Sequence, residues 1–218
     1  MTHLAMGAVA LMTLFIVPVA QAQEPDARQI AQERAQAESD LPHLVEALEL
    51  EPGMTVADVG SGGGAVTVVI GKWITSGRVY ATDITERGLR LTREYAKREG
   101  LTNVTVIEGA SGATNLPDAC CDAIFMRDVY HHITEVESFN KSLKASLKPG
   151  GRLAIIDFRP DKGSKLPAGV PANREGHGIP TAVVLSELTA AGFTHTKTVD
   201  RWPPDDKNPL FLTLFRKP

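Results

Sequence analysis

One stretch of the sequence, residues 56–64, restricts the fold of this chain more than any other. It reads Val-Ala-Asp-Val-Gly-Ser-Gly-Gly-Gly, an apolar run that ends in closely spaced glycines. Such a run predicts a strand that turns tightly into a helix, because glycine has no Cβ and lets a ligand approach the backbone. A second apolar run, residues 79–82, ends at Asp83, and an acid there suits the paired hydroxyls of a ribose. The pattern indicates a strand–helix–strand unit that binds a nucleoside.

The glycine pattern does not by itself say which nucleoside is bound. Residues 60–65 also satisfy the dinucleotide pattern G-x-G-x-x-A. Asp58 favours a different ligand, because a carboxylate beside the loop repels a pyrophosphate and attracts the ammonium group of an amino acid. This charge argument favours S-adenosylmethionine.

Four motifs in this order resemble the class I S-adenosylmethionine-dependent methyltransferases: residues 56–64, Asp83, residues 122–126 and residues 148–152. The resemblance covers residues 41–218. It implies that S-adenosylmethionine is the cofactor, with its ribose on Asp83 and its ammonium group on Asp58. The residues expected to complete the cofactor site are Gly60, Gly62, Gly64, Ser111 and Arg127. Relatives tend to carry acids in the segment that corresponds to residues 108–117, and this chain has none there after Glu108. Backbone amides and Ser111 would then hold the adenine, or cofactor affinity is weakened.

Strand and helix patterns alternate along the chain and predict an α/β fold with a doubly wound, mostly parallel sheet. Seven strands are expected, near residues 54–59, 78–82, 103–107, 123–126, 153–157, from 192 onwards and 210–215. The predicted helix starts are Asp40 as a cap before Pro42, Thr85 as a cap, and a capping box of Thr134 and Glu137. The resemblance implies a Rossmann-like methyltransferase fold whose C-terminal strand is antiparallel, after a turn at residues 203–206.

The segment 127–132, Arg-Asp-Val-Tyr-His-His, follows the fourth predicted strand, where an acceptor would face the methyl group. Methyl transfer to a hydroxyl or amine needs a proton acceptor, and an imidazole titrates near neutral pH. His131 or His132 is therefore the predicted catalytic base, although either could be a packing residue. The residues assigned to the substrate pocket are Tyr130, Asp157 and His177. No metal site is predicted, because no third ligand follows the two histidines at i+3 or i+4.

The N-terminal residues 1–22 contain no charged side chain, and Ala20-Gln21-Ala22 fits the A-x-A cleavage rule. They predict a signal peptide and export to the periplasm, with an uncleaved membrane anchor as the alternative. The apolar run is too short for a stable span. Residues 23–39 are expected to form a linker or helical extension, and residues 40–218 the methyltransferase domain.

Composition narrows the range of partners and functions. The formal net charge is -3 and the pI about 6.1, which offers no basic surface for nucleic acid and favours a small-molecule substrate. Cys120 and Cys121 are adjacent, a poor basis for a structural disulfide, and are expected to be a small buried pair. The leading interpretation is methyl transfer from S-adenosylmethionine to a small acceptor. The alternatives are a non-catalytic domain that binds a nucleoside cofactor and, third, a nicotinamide-dependent oxidoreductase.

Overall fold

The computed structural model describes residues 27–161, 163–204 and 208–218. The predicted leader, and Asp205 and Asp206 of the predicted turn, lie outside these residues. The helices are α1 Ala27–Leu48, α2 Ala65–Trp73, α3 Glu86–Arg98, α4 Val136–Ser146 and α5 Thr181–Ala190. The strands are β1 Thr55–Val59, β2 Arg78–Asp83, β3 Val104–Glu108, β4 Cys121–Arg127, β5 Leu147–Phe158, β6 Thr194–Val199 and β7 Leu210–Arg216. No helix in the described ranges has the length and apolar character that crossing a bilayer requires.

All seven strands form one sheet in the order β3-β2-β1-β4-β5-β7-β6. The first five strands pair in parallel, whereas β7 runs antiparallel to both β5 and β6. The strand order reverses beside β1, so the crevice for a ligand is expected at the carboxyl ends of β1 and β4. The predicted doubly wound sheet with an antiparallel C-terminal strand is confirmed.

Both faces of the sheet are buried, which explains why its central strands are almost continuously apolar. On β4, Ile124 and Met126 join a core layer with α4 and α5, whereas Ala123 and Phe125 join a layer with α1 and the end of α2. The alternation follows from the two-residue period of a strand. The two layers hold the carboxyl ends of the strands in fixed positions.

The helix α1 begins at Ala27 and passes through Pro42, so Asp40 is not the helix cap that the sequence predicted. The Asp40 side chain is fully buried, and it accepts hydrogen bonds from Gln36 and from Arg127. Its tertiary partner at the end of β4 therefore stabilises Asp40 inside the helix. Residues 27–39 of the segment predicted as a linker or helical extension belong to the same continuous helix.

Two other predicted boundaries differ from the structure. Thr134 does not cap α4, because Glu135 occupies the cap position and makes no side-chain capping bond. The strand β5 begins at Leu147 and not near the predicted residue 153. Residues 148–151 bulge out where Cys121 pairs with Leu147 and Ala123 with Arg152. By contrast, the Thr85 side chain caps α3 as predicted, by accepting from the Gly88 amide at 3.1 Å.

The two cysteines form a disulfide, which corrects the prediction made from their adjacency. Their Cα atoms lie 3.8 Å apart, closer than in most disulfides, and this short spacing was the reason for the prediction. They follow a turn in which Ala119 adopts a φ of 48°. Cys121 is buried at the start of β4, as expected for a small core residue.

Candidate active site

A cavity of about 820 Å³ lies at the carboxyl ends of β1, β2 and β4, where the reversal of strand order predicts a ligand. This volume lies within the range of small-molecule and cofactor pockets. Of the predicted site residues, the cavity wall includes Asp58, Gly60, Gly62, Asp83, Ser111, Arg127 and His132. The cavity wall does not include Gly64, Tyr130, His131, Asp157 or His177.

The glycine loop, residues 60–64, is hydrogen-bonded to the end of β2. The amides of Gly60 and Ser61 both donate to the Thr82 carbonyl at 2.8 Å. Gly60 has a φ of 82°, and a Cβ there would lie 2.5 Å from the side chain of Val129. Gly64 starts α2, and its Cβ would lie 2.8 Å from the Thr92 backbone of α3. Gly60 thus lets the loop approach the end of β4, while Gly64 serves helix packing and is not a cavity residue.

The Asp83 carboxylate is held in a fixed orientation at the cavity. Its Oδ1 accepts from the Thr85 amide at 2.8 Å and from the Thr85 hydroxyl at 2.6 Å. Its Oδ2 accepts from the Gly62 amide at 2.9 Å, which ties the glycine loop to β2. A carboxylate oxygen has two acceptor positions, so Oδ2 retains one for a hydroxyl of a ligand. This arrangement fits the predicted ribose contact.

The Asp58 carboxyl lies at the base of the cavity with 3% of the residue exposed. Burial raises its pKa to about 7, and the nearby Asp83 adds to that increase. The hydroxyl of Thr67, which donates to Asp58 at 2.6 Å, and the charge of Arg127 act in the opposite direction. A cationic group in the cavity would favour the ionised form of Asp58. The site therefore fits the ammonium group of an amino acid.

The helix α1 covers one side of the cavity, which the sequence analysis did not predict. Its residues Gln32, Glu33, Gln36 and Ala37 line the wall. Arg127 lines the same wall, but its Nε donates to Asp40 of α1 at 2.8 Å, so it also fastens this helix. The signal that could have revealed the contact is the apolar spacing of Ala37, Leu44 and Leu48, all buried on one face of α1.

The two consecutive histidines occupy different environments in a short 3-10 helix, residues 130–132. His131 is 1% exposed, and its Nδ1 lies 2.8 Å from Oδ1 of Asp157, whose Oδ2 accepts from the His131 amide. His132 is exposed and lines the cavity. Burial of the ring and the neighbouring histidines, His131 and His177, lower the pKa of His132. His132 is thus the histidine that can reach a ligand, and His131 lies behind it.

The remaining predicted residues fall into two groups. Ser111 lines the cavity together with Gly109 and Ala110, in the segment that lacks acids. Its hydroxyl donates to the Glu135 carboxylate. Tyr130 was assigned to the substrate pocket, but its side chain is fully buried, and its hydroxyl pairs with the Asn140 side chain. Its neighbour in the core is Arg174, whose guanidinium carbon lies 5.7 Å from the ring centre. The structure places Tyr130 in the core and not on the cavity wall.

His177, from the long loop before α5, lies beside the two consecutive histidines. Its ring centre is 4.9 Å from that of His131 and 5.7 Å from that of His132. The sequence gives no spacing signal for this contact, because the loop returns over the end of β5 from a distant part of the chain. The ring of Phe158 packs against both His131 and His177.

Fold and cavity together define a Rossmann-like domain that binds a nucleoside cofactor at the switch point of its sheet. A family model described as "Methyltransferase domain" matches residues 57–155. A ubiquinone/menaquinone biosynthesis C-methyltransferase from Escherichia fergusonii is 32% identical over 108 residues, 49% of this chain and 43% of the relative. The match therefore spans less than half of the length of that curated relative.

Solved structures extend the comparison to most of the chain. A SAM-dependent methyltransferase from Aquifex aeolicus has a TM-score of 0.64 and 27% identity, and the match covers 85% of this chain and 98% of the other. The fold is also that of the Haemonchus contortus phosphoethanolamine N-methyltransferase 2 in complex with S-adenosyl-L-methionine, with a TM-score of 0.64, 15% identity, and coverage of 83% and 52%. Over residues 57–155 the chain is similar to methyltransferase domains, and its fold is that of a SAM-dependent methyltransferase.

Proposed function

We propose that this protein transfers the methyl group of S-adenosylmethionine to a small-molecule acceptor. The observation that carries the proposal is the meeting of three features in one cavity: the glycine loop, the fixed Asp83 carboxylate and the His132 ring. The first two suit a nucleoside linked to an amino acid, and the third suits proton removal from an acceptor. The cavity size and the net charge of -3 favour a small acceptor over a nucleic acid.

Each part of the cofactor has a matching group on the cavity wall. Asp83 accepts from the ribose, and Asp58 receives the ammonium group, whose charge favours the ionised carboxylate. Ile84 follows Asp83, is 66% exposed, and lines the cavity, so an adenine ring would cover its apolar surface. Ser111 and the backbone of residues 109–113 lie on that side and supply polar contacts in place of a carboxylate.

When bound, S-adenosylmethionine supplies an electrophilic methyl group whose leaving group needs no protonation. The task of the chain is therefore to position the acceptor and to remove its proton where the nucleophile is a hydroxyl or amine. The neutral His132 ring, whose pKa is lowered, is available to accept that proton at neutral pH. His131 and Asp157 are positioning residues for the His132 ring. The helix α1 limits the access of water from the side of the cavity that it covers.

The direct test measures transfer of an isotopically labelled methyl group from S-adenosylmethionine into small-molecule extracts. We expect a labelled product with the wild-type chain and little with Asp83→Ala. Binding of S-adenosylhomocysteine without transfer to any extract would favour the non-catalytic alternative, which the missing acids between Glu108 and Pro117 suggest. Binding of NAD in place of S-adenosylhomocysteine would favour the oxidoreductase.

We also propose that the chain is exported through cleavage of residues 1–22. The uncharged leader with its A-x-A site supports this proposal. Mass spectrometry of the protein from its host should find an N-terminus at Gln23. A soluble species that retains Met1 would contradict export, and a membrane-bound species that retains the leader would favour the anchor.

A further inference from the structure

Three of the six histidines of the chain lie together beside the cavity. These residues, His131, His132 and His177, are called the histidine cluster below. One ring nitrogen from each residue lies within 4.8 Å of the other two. The rings of His131 and His132 are 3.9 Å apart between centres. Two separate segments thus bring three imidazoles to one point.

The buried member of the cluster is already oriented as metal-ligating histidines usually are. The Asp157 carboxylate accepts from Nδ1 of His131, from the His131 amide at 3.0 Å and from the Phe158 amide at 2.9 Å. Because a carboxylate only accepts, Nδ1 carries a proton, and in the neutral ring Nε2 keeps a free lone pair. A carboxylate on the second ring nitrogen is the usual outer partner of a histidine ligand.

The Nε2 atom of His131 has no hydrogen-bond partner among the described residues, although it is buried. A buried polar atom without a partner is costly, and most such atoms in proteins are satisfied. The position of His131 is fixed by Asp157, so its ring cannot turn to find another partner. The unsatisfied atom therefore indicates a ligand that the cluster is built to receive.

His177 is positioned by its own loop. The backbone of His177 is held on both sides: its amide donates to the Ser164 hydroxyl at 2.8 Å, and its carbonyl accepts from the Asp161 amide at 3.2 Å. Ile179 then donates to the Phe158 carbonyl at 2.9 Å, which ties the end of the loop to β5. These bonds hold the exposed His177 ring beside His131 without help from the ring itself.

We propose that the histidine cluster binds a divalent transition metal ion through one ring nitrogen of each residue. Imidazole is a preferred ligand of zinc, copper, iron and nickel, and three histidines with one open position form a known type of catalytic zinc site. The exposed rings of His132 and His177 can turn to bring their nitrogens to bonding distance, while His131 supplies the fixed position.

One consequence of the metal site rests on the proposed function. Because His132 also lines the cavity, a metal on the cluster would present its open position to the acceptor side. A hydroxyl of the acceptor bound there would lose its proton to solvent water more readily, since a metal ion lowers the pKa of a bound hydroxyl. With the metal bound, His132 would act as a ligand and the metal would take over its part in proton removal. The acceptor would then belong to the class of small molecules with an oxygen donor. Metal binding itself does not depend on this consequence.

The test is calorimetric titration of the cofactor-free full chain with Zn²⁺, supported by the visible absorption of bound Co²⁺. We expect one ion per chain. His177→Gln changes an exposed side chain and should weaken binding by more than about 10-fold, because even the loss of an outer-shell partner costs 10- to 100-fold. The matched control is His195→Gln, an exposed histidine on β6, which should bind as the wild type does.

The variant His132→Gln combined with His177→Gln should abolish the one-ion binding, with an unchanged melting temperature as evidence of folding. Equal Zn²⁺ affinity in wild type, double variant and control would overturn the metal site. Because these measurements contain no methyl donor, they remain valid if the methyltransferase proposal fails. Conversely, methyl transfer that survives a chelator while Zn²⁺ binds the cluster would overturn only the acceptor consequence.

Discussion

The guanidinium of Arg127 donates from Nε to Oδ2 of Asp40 at 2.8 Å, which joins the end of β4 to the middle of α1. The Asp40 side chain is fully buried and that of Arg127 is 24% exposed. The pair lies beside the cofactor cavity, and the part of α1 before Asp40 forms one of its walls. This contact makes the N-terminal helix part of the site.

Replacement of Asp40 by Ala should lower the free energy of unfolding by about 1–3 kcal/mol, since it leaves a partly buried cation without its partner. It should also weaken S-adenosylhomocysteine binding, because the helix wall loses its attachment. Chemical denaturation and calorimetry measure the two effects. Glu38→Ala removes an exposed ion pair with Arg34 on the same helix and should cost less than about 1 kcal/mol. Equal losses in the two variants would contradict the role of the buried pair.

Replacement of Asp83 by Ala should weaken S-adenosylhomocysteine binding by about 1–3 kcal/mol, which is about 5- to 150-fold. The physical reason is a ribose hydroxyl left without its acceptor and a glycine loop released at the Gly62 amide. Calorimetry gives the affinity. Glu86→Ala, an exposed acid in the first turn of α3, is the matched control and should leave the affinity unchanged. An unchanged affinity in Asp83→Ala would remove Asp83 from the cofactor site.

The fold was largely predictable because its strongest signals are local. The glycine loop, the apolar strands and the Thr85 cap each depend on residues close in sequence, and each appears at the predicted place. The Thr134 cap failed because a capping box is only a tendency, and here Glu135 takes the position. Asp40 failed as a cap because a distant partner, Arg127, stabilises it within the helix.

The site could be predicted only for residues near the carboxyl ends of the parallel strands, which all lie at one edge of the sheet. Asp58, Asp83 and His132 reach one cavity because each lies near the carboxyl end of a strand beside the switch point. His177 comes from a long loop, whose path is set by backbone hydrogen bonds that no periodicity reveals. The burial of Tyr130 could not be predicted for a related reason, because its hydrogen-bond partner Asn140 lies on α4 and not in its own segment.

The buried Asp58 should make stability depend on pH. Its folded pKa of about 7 lies above the ordinary value of 3.8, so folding favours the protonated form. The stabilising contribution is fully present below about pH 4 and is lost as the pH rises through about 7. Asp58→Asn keeps an oxygen for the Thr67 hydroxyl and removes the titration. We therefore expect the melting temperature of the wild type to fall relative to that of Asp58→Asn between pH 4 and 7, and a constant difference would contradict the raised pKa.

Replacement of His132 by Gln should lower the rate of methyl transfer by about 10²- to 10⁴-fold, because the ring that faces the acceptor is lost. Affinity for S-adenosylhomocysteine should stay nearly unchanged, since no part of the cofactor is assigned to this ring. The same rate measured for His131→Gln tests its role as a positioning residue, with melting temperature as the check on folding. A packing histidine would instead lower activity only in proportion to the folded fraction. The control His195→Gln should keep the full rate, and full activity in both His131→Gln and His132→Gln would exclude either histidine from turnover.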